Sequence, residues 1–139
     1  MPVKHERYHY KHMLPRDTEL WNHFLEQHGG YFDRFIYDEH VGEGVGDIYG
    51  YEPWVAQLAK SLTQKRIDAV GYRGGEVWLF EIKPKAGLAA LGQIIAYEAL
   101  WETGGRLPHV YRKAIVTDRT DGDIKTVADL YGVKVYEVG

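Results

Sequence analysis

Asp68, Glu81 and Lys83 are the residues whose types and spacing could do chemistry together. Two strands, Lys65 to Tyr72 and Glu76 to Lys83, are expected on either side of Arg73-Gly74-Gly75. A Gly-Gly pair between two such runs signals a hairpin, because tight primed turns need positive φ at their centre. With Gly74 and Gly75 as the two turn residues, Arg73 falls opposite Glu76, Tyr72 opposite Val77, and Asp68 opposite Glu81. Directly paired positions share a sheet face, with Cβ atoms about 5 Å apart. Glu81 and Lys83 lie two apart in one strand and share it too. Ile67, Ala69, Trp78, Phe80 and Ile82 take the other face, a core-facing set.

Carboxylates held across from each other repel, and a divalent cation relieves that repulsion. With no Cys in the chain, any metal must rest on carboxylates, His and water. Mg²⁺ prefers oxygen ligands and keeps several waters, so Asp68, Glu81, the main-chain carbonyl of Ile82 and a substrate phosphate would suit Mg²⁺ or Mn²⁺. Such an ion would acidify a bound water and shield charge developing at phosphorus. Lys83 would orient that water or stabilise the pentacoordinate state. The chemistry this set suits is phosphodiester hydrolysis. Arg66, Arg73 and Lys85 are nearby cations that could meet a nucleic-acid phosphate, and for Arg73 and Lys85 a solubilising role fits better than a catalytic one. Two exposed strand carboxylates paired with Arg66, Lys83 or Lys85 would be the bland alternative.

The elements that must position these residues are readable. Pro15-Arg16-Asp17-Thr18 reads as a helix start, with Asp17 or Thr18 as N-cap. Leu20, Trp21, Phe24 and Leu25 follow at helical spacing to about His28, before Gly29-Gly30. Tyr31 to Val41 reads as a strand, and Gly46 to Gly50 as a loop. A helix starts at Pro53, with Trp54, Leu58 and Leu62 as its apolar stripe and Trp54 in the core. After the hairpin, Pro84 ends the second strand and a helix runs from about Ala86 to Thr103. A strand from Arg112 to Thr117, a helix from about Asp123 to Tyr131 and a strand from Val133 to Val138 complete the order αβαββαβαβ. That order predicts an α/β fold with a central mixed sheet of about five strands flanked by helices.

Asp68, the hairpin and Glu81-Ile82-Lys83 together resemble the PD-(D/E)XK nuclease superfamily, with Ile67 where the family name has proline. Gln93 and Tyr97 add Gln-x-x-x-Tyr, similar to the motif of RecB-like and Holliday-junction-resolvase-like members with the restriction-endonuclease fold. Their i, i+4 spacing puts both side chains on one helix face. The resemblance implies that Gln93 and Tyr97 flank the metal shell or the DNA. It also implies an acid on the first helix, for which Glu19 is the choice and Glu26 the alternative. A metal-dependent DNA endonuclease is the activity implied, with Mg²⁺ or Mn²⁺ as cofactor and DNA as partner. A nuclease fold that only binds or assembles on nucleic acid is one alternative, and an unrelated interaction or small-molecule domain another.

At 139 residues the chain has one domain's worth of sequence, divided here into a basic arm at 1–16 and a nuclease-like domain at 17–139. The net charge of −3 argues against a general nucleic-acid coating protein. In the arm, Lys4, Arg7, Lys11 and Arg16 oppose Glu6 alone. His5, His9 and His12 could bind a metal only if the arm were helical. No apolar run reaches membrane length and no signal pattern opens the chain, so a soluble, cytoplasmic protein is expected. The lack of a separate recognition module favours structure-selective or weakly sequence-selective cutting. A homodimer or a targeting partner would suit a two-stranded substrate.

Overall fold

A computed structural model of the chain describes residues 13–43, 45–62 and 66–139. Most of the basic arm, including His5, His9 and His12, lies outside the described residues. Helix α1 is Pro15–His28, with Leu14 as N-cap and Pro15 in the first turn, where its missing N–H costs nothing. Its buried stripe is Leu20, Trp21, Phe24 and Leu25. A single 3₁₀ turn, Gly29–Tyr31, follows, so strand β1 begins only at Arg34 and runs to His40. Helix α2 is Pro53–Ser61, strand β2 Arg66–Arg73 and strand β3 Glu76–Ile82. Then come helix α3 (Leu88–Thr103), strand β4 (Val110–Thr117), helix α4 (Gly122–Leu130) and strand β5 (Val133–Glu137).

The strands form one mixed sheet in the order β1-β2-β3-β4-β5. β1, β2 and β3 are antiparallel, whereas β3, β4 and β5 run parallel through the α3 and α4 crossovers. Sheets with parallel crossovers are covered on both faces. Helix α1 covers one face, over Ala69, Trp78, Phe80, Ile82, Ala114 and Val116. Helices α2, α3 and α4 cover the other, over Val70, Val77, Leu79 and Ile115. Ile67, expected on the α1 face, joins the α3-side core instead, because it lies beyond the last β2–β3 pair. None of the helices formed by the described residues is long and apolar enough to cross a membrane.

Trp54 is not in the core. It is 40% exposed, and its ring meets Tyr131 edge-on at 5.9 Å. Val55 and Ala59 are the buried residues of α2; of the expected stripe, Leu62 is buried just past the helix and Leu58 packs half-buried against the same core, so the expectation fails at Trp54 alone.

The hairpin that carries the sequence argument has a two-residue turn. Arg73 pairs with Glu76, Tyr72 with Val77 and Ala69 with Phe80. Gly74 alone of the two glycines takes positive φ, 54°, as the first central residue of a type II′ turn does, and its N–H donates to Asp33 at 2.7 Å. Gly71 serves a different purpose. A Cβ there would stand 2.9 Å from the Phe32 ring and 3.0 Å from the Phe35 ring. Gly71→Ala is therefore expected to lower stability by about 1–3 kcal/mol through overpacking. Urea unfolding checks this, and an unchanged midpoint would show that the rings can yield.

Candidate active site

The β2–β3 ladder ends at the pair Ala69 and Phe80. The next positions in register are Asp68 and Glu81, and there the two backbones part. The Ile82 N–H donates to the Asp68 carboxylate at 2.8 Å. The Lys83 N–H turns to β4 and donates to the Val116 carbonyl at 2.9 Å. Asp68 thus satisfies a backbone donor that would otherwise be orphaned where the strands diverge. Its side chain is held against that of Glu81, and the two carboxyls are hydrogen-bonded to each other.

Glu81 is only 6% exposed. Burial pushes the Asp68 carboxyl up to about 6, against the opposing pull of the Ile82 N–H and the Glu81 hydrogen bond. Burial also pushes Glu81 well above the usual carboxylate range, and the adjacent Asp68 charge adds to it. Two carboxyls can hydrogen-bond only if one keeps its proton, so the pair titrates as a unit. Tyr97, buried in α3, belongs to the same environment. Burial first, then the charges of Glu81 and Asp68, hold its phenol protonated well above its ordinary range. Gln93 is half-buried one turn earlier on the same helix. Lys83 is exposed just past β3, and its charge draws Glu81 and Asp17 down.

Asp17 is the acid of α1 whose charge acts on both carboxyls, raising each. Glu19, the sequence choice, turns away to Arg16 at 2.7 Å with its side chain 63% exposed. Glu26 is near the far end of α1, against a separate groove. The difference lies in the helix start. Because Leu14 is the N-cap, Asp17 is the third helical residue and reaches back to the Leu14 backbone, as the acid of a capping box does. Residues two apart on a helix face opposite ways, so this frame turns Asp17 in and Glu19 out. Arg16 also bonds Asp118 at 3.0 Å, tying the start of α1 to the end of β4.

Asp38 is a second residue that sequence reasoning missed. It lies on β1 in line with Asp68, has φ of 55°, and its charge adds to the raising of Asp68. Positive φ within a strand leaves no trace in residue type beyond the tolerance of Asp for it.

The three flanking cations divide. Arg66 is at the start of β2, opposite His40 and two residues from Asp68. Lys85 bridges Arg119 and lines a cleft of about 590 Å³ with Arg119 and Thr120. Arg73 is at the far end of the hairpin, its guanidinium 3.9 Å above the Tyr31 ring, away from the carboxyls. The connection from Lys83 into α3 is fixed by Thr117, which is fully buried. Its hydroxyl donates to the Pro84 carbonyl at 3.1 Å and accepts from the Ala86 N–H at 3.2 Å.

No protein-family model and no curated protein matches the chain. Two solved structures do. A repair endonuclease from Pyrococcus abyssi superposes with a TM-score of 0.55 at 21% identity, over 96% of this chain and 49% of that one. A protein of unknown function, AF1548, superposes with a TM-score of 0.51 at 21% identity, over 84% of this chain and 55% of that one. The chain spans about half the length of each. The α/β fold, a mixed five-stranded sheet with four flanking helices among the described residues, is similar to that of a repair endonuclease.

Proposed function

We propose that the chain is a metal-dependent DNA endonuclease of the PD-(D/E)XK type. The observation that carries this reading is the Asp68–Glu81 pair, Asp68 half-buried and Glu81 buried, brought together where β2 and β3 part, with Lys83 just past the end of β3. Among the described residues, no three His, Cys, Asp or Glu side chains converge on one point. The protein's own donors are then these two carboxylates and a main-chain carbonyl such as that of Ile82. That set fits Mg²⁺ or Mn²⁺, which keeps several waters, and a cation would relieve the repulsion that raises both carboxyls.

When bound, the ion supplies Lewis-acid activation of water and neutralises phosphate charge. Asp68 and Glu81 hold and orient it, with Asp68 fixed by the Ile82 N–H. Lys83, exposed just past β3 with its charge acting on Glu81, would steer water or meet the charge that develops at phosphorus. Asp17 adds negative charge that favours a cation at the pair. Tyr97 stays protonated and packs behind it, with Gln93 beside it on α3. Arg66 and Lys85 flank the site as phosphate contacts.

Incubation with supercoiled and branched DNA in Mg²⁺ or Mn²⁺ is expected to give cleavage. Asp68→Asn, Glu81→Gln and Lys83→Ala should each lower the rate by about 10²–10³-fold. A wild-type chain that cuts neither DNA with either ion contradicts the proposal.

The raised carboxyls also set a pH dependence. Each ionises more easily unfolded than folded, so without metal the folded state binds more protons, and stability falls as pH rises from about 4 through about 6. For Asp68 alone the fall is on the order of 2–3 kcal/mol. Thermal melts of Asp68→Asn, which keeps an acceptor for Ile82, should show a flatter profile. Millimolar Mn²⁺ at pH 8 should raise Tm in the wild type and not in that variant. Equal profiles would show that the pair carries no such charge penalty.

A further inference from the structure

Helix α1 is narrower than the sheet face it covers. Beyond its C-terminal half, the N-terminal parts of β3, β4 and β5 border a groove of about 800 Å³. Trp78, 6% exposed, and the half-buried Tyr136 form its floor, and Tyr31 and Tyr111 stand at its rim, 39% and 48% exposed. Tyr111 is there because the β3–β4 register shifts. Val77 pairs with Val110 but Trp78 with Arg112, leaving Tyr111 as an extra residue. A bulge of this kind re-aims a side chain, and the Tyr111 ring comes to 6.2 Å from Trp78.

Cations lie over these rings. The Arg112 guanidinium is 4.7 Å from the centre of the Tyr111 ring, and the Lys134 ammonium 5.3 Å from that of Tyr136. Arg73 lies over Tyr31 at the near rim. Among the described residues neither Arg112 nor Lys134 has a carboxylate at ion-pairing distance. Two acids stand with them: Glu26 lines the groove, and Glu76 at its edge accepts from the Tyr31 hydroxyl at 2.8 Å and the Trp78 N–H at 3.1 Å, so Arg73, Arg112 and Lys134 face two carboxylates. In a chain of net charge −3, this is a local excess of positive charge beside stackable rings. A ligand complementary to it has flat π faces and phosphates at short intervals. Bases buried in a duplex cannot offer those faces, whereas a single strand offers both.

We propose that this groove binds single-stranded nucleic acid, with bases stacked on Tyr31, Tyr111 and Tyr136 and phosphates met by Arg112 and Lys134. The groove is on the α1 face and at the opposite end of β3 from Asp68 and Glu81, so the inference does not depend on the carboxylate site. Its volume is at the upper end for ligand pockets and exceeds the need of one base.

The test uses the full chain carrying Lys83→Ala, in EDTA, so that strand binding is read without cleavage. Fluorescence anisotropy of a labelled oligothymidylate of about eight nucleotides should report saturable binding. Tyr111→Ala should weaken it about 5- to 100-fold. Arg112→Ala and Lys134→Ala should weaken it and flatten its salt dependence. An unlabelled duplex of the same length and free thymidine monophosphate should each compete at least about tenfold less well. Circular dichroism and sedimentation of each variant establish that it remains folded and in the same assembly state. Unchanged affinity in folded Tyr111→Ala and Arg112→Ala, or equal competition by duplex, overturns the proposal. So does loss of self-association in those variants without loss of strand binding, which would make the groove a contact between copies.

Discussion

Where β2 and β3 part, the N–H of Ile82 needs an acceptor, and the Asp68 carboxylate supplies it. A buried donor without a partner costs about 1–3 kcal/mol, so Asp68 cannot swing away cheaply. The same bond fixes it beside Glu81, in surroundings that disfavour both charges. The pair must therefore hold a proton or a cation. Much of the surrounding architecture bears on that requirement. The Gly74 turn sets the register that brings the two together. The Arg16–Asp118 pair holds the start of α1, and with it Asp17, against the end of β4. Thr117 steadies the chain after Lys83.

The hairpin was readable because it is local. Turn chemistry at Gly74-Gly75 fixes pairing, and a period of two then decides which side chains share a face. The element order and the five-stranded sheet were readable for similar reasons, since each helix and strand has its own stop residue. What was not readable depends on frame or on tertiary packing. An N-cap at Asp17 or Thr18 sets the helix start three or four residues late, whereas Pro15 at the first position turns Asp17 inward, in place of the Glu19 or Glu26 that the resemblance suggested. Trp54 reads as the first residue of an apolar stripe, yet the frame of α2 gives that place to Val55. Asp38 depends on a backbone angle that its neighbours do not announce. The aromatic groove depends on a bulge at Tyr111, which no spacing rule marks.

The two faces of the sheet carry different polar features. On the α3 side, buried carboxyls meet at the end of a ladder, with cations beyond them. On the α1 side, rings and cations alternate over the strand beginnings, past the point where the single helix stops. Stability and binding chemistry are thus separated along the strands, because the close-packed middle of β3, from Val77 to Phe80, is apolar on both faces.

The most direct test of the carboxyl pair is proton release on cation binding. Titration calorimetry of Mn²⁺ into the chain at pH 7, repeated in buffers of different ionisation enthalpy, counts the protons displaced. A pair that shares a proton at neutral pH and gives it up to a metal predicts release of about one proton per ion, lost in Asp68→Asn. Binding without proton release, or release that persists in that variant, would contradict it.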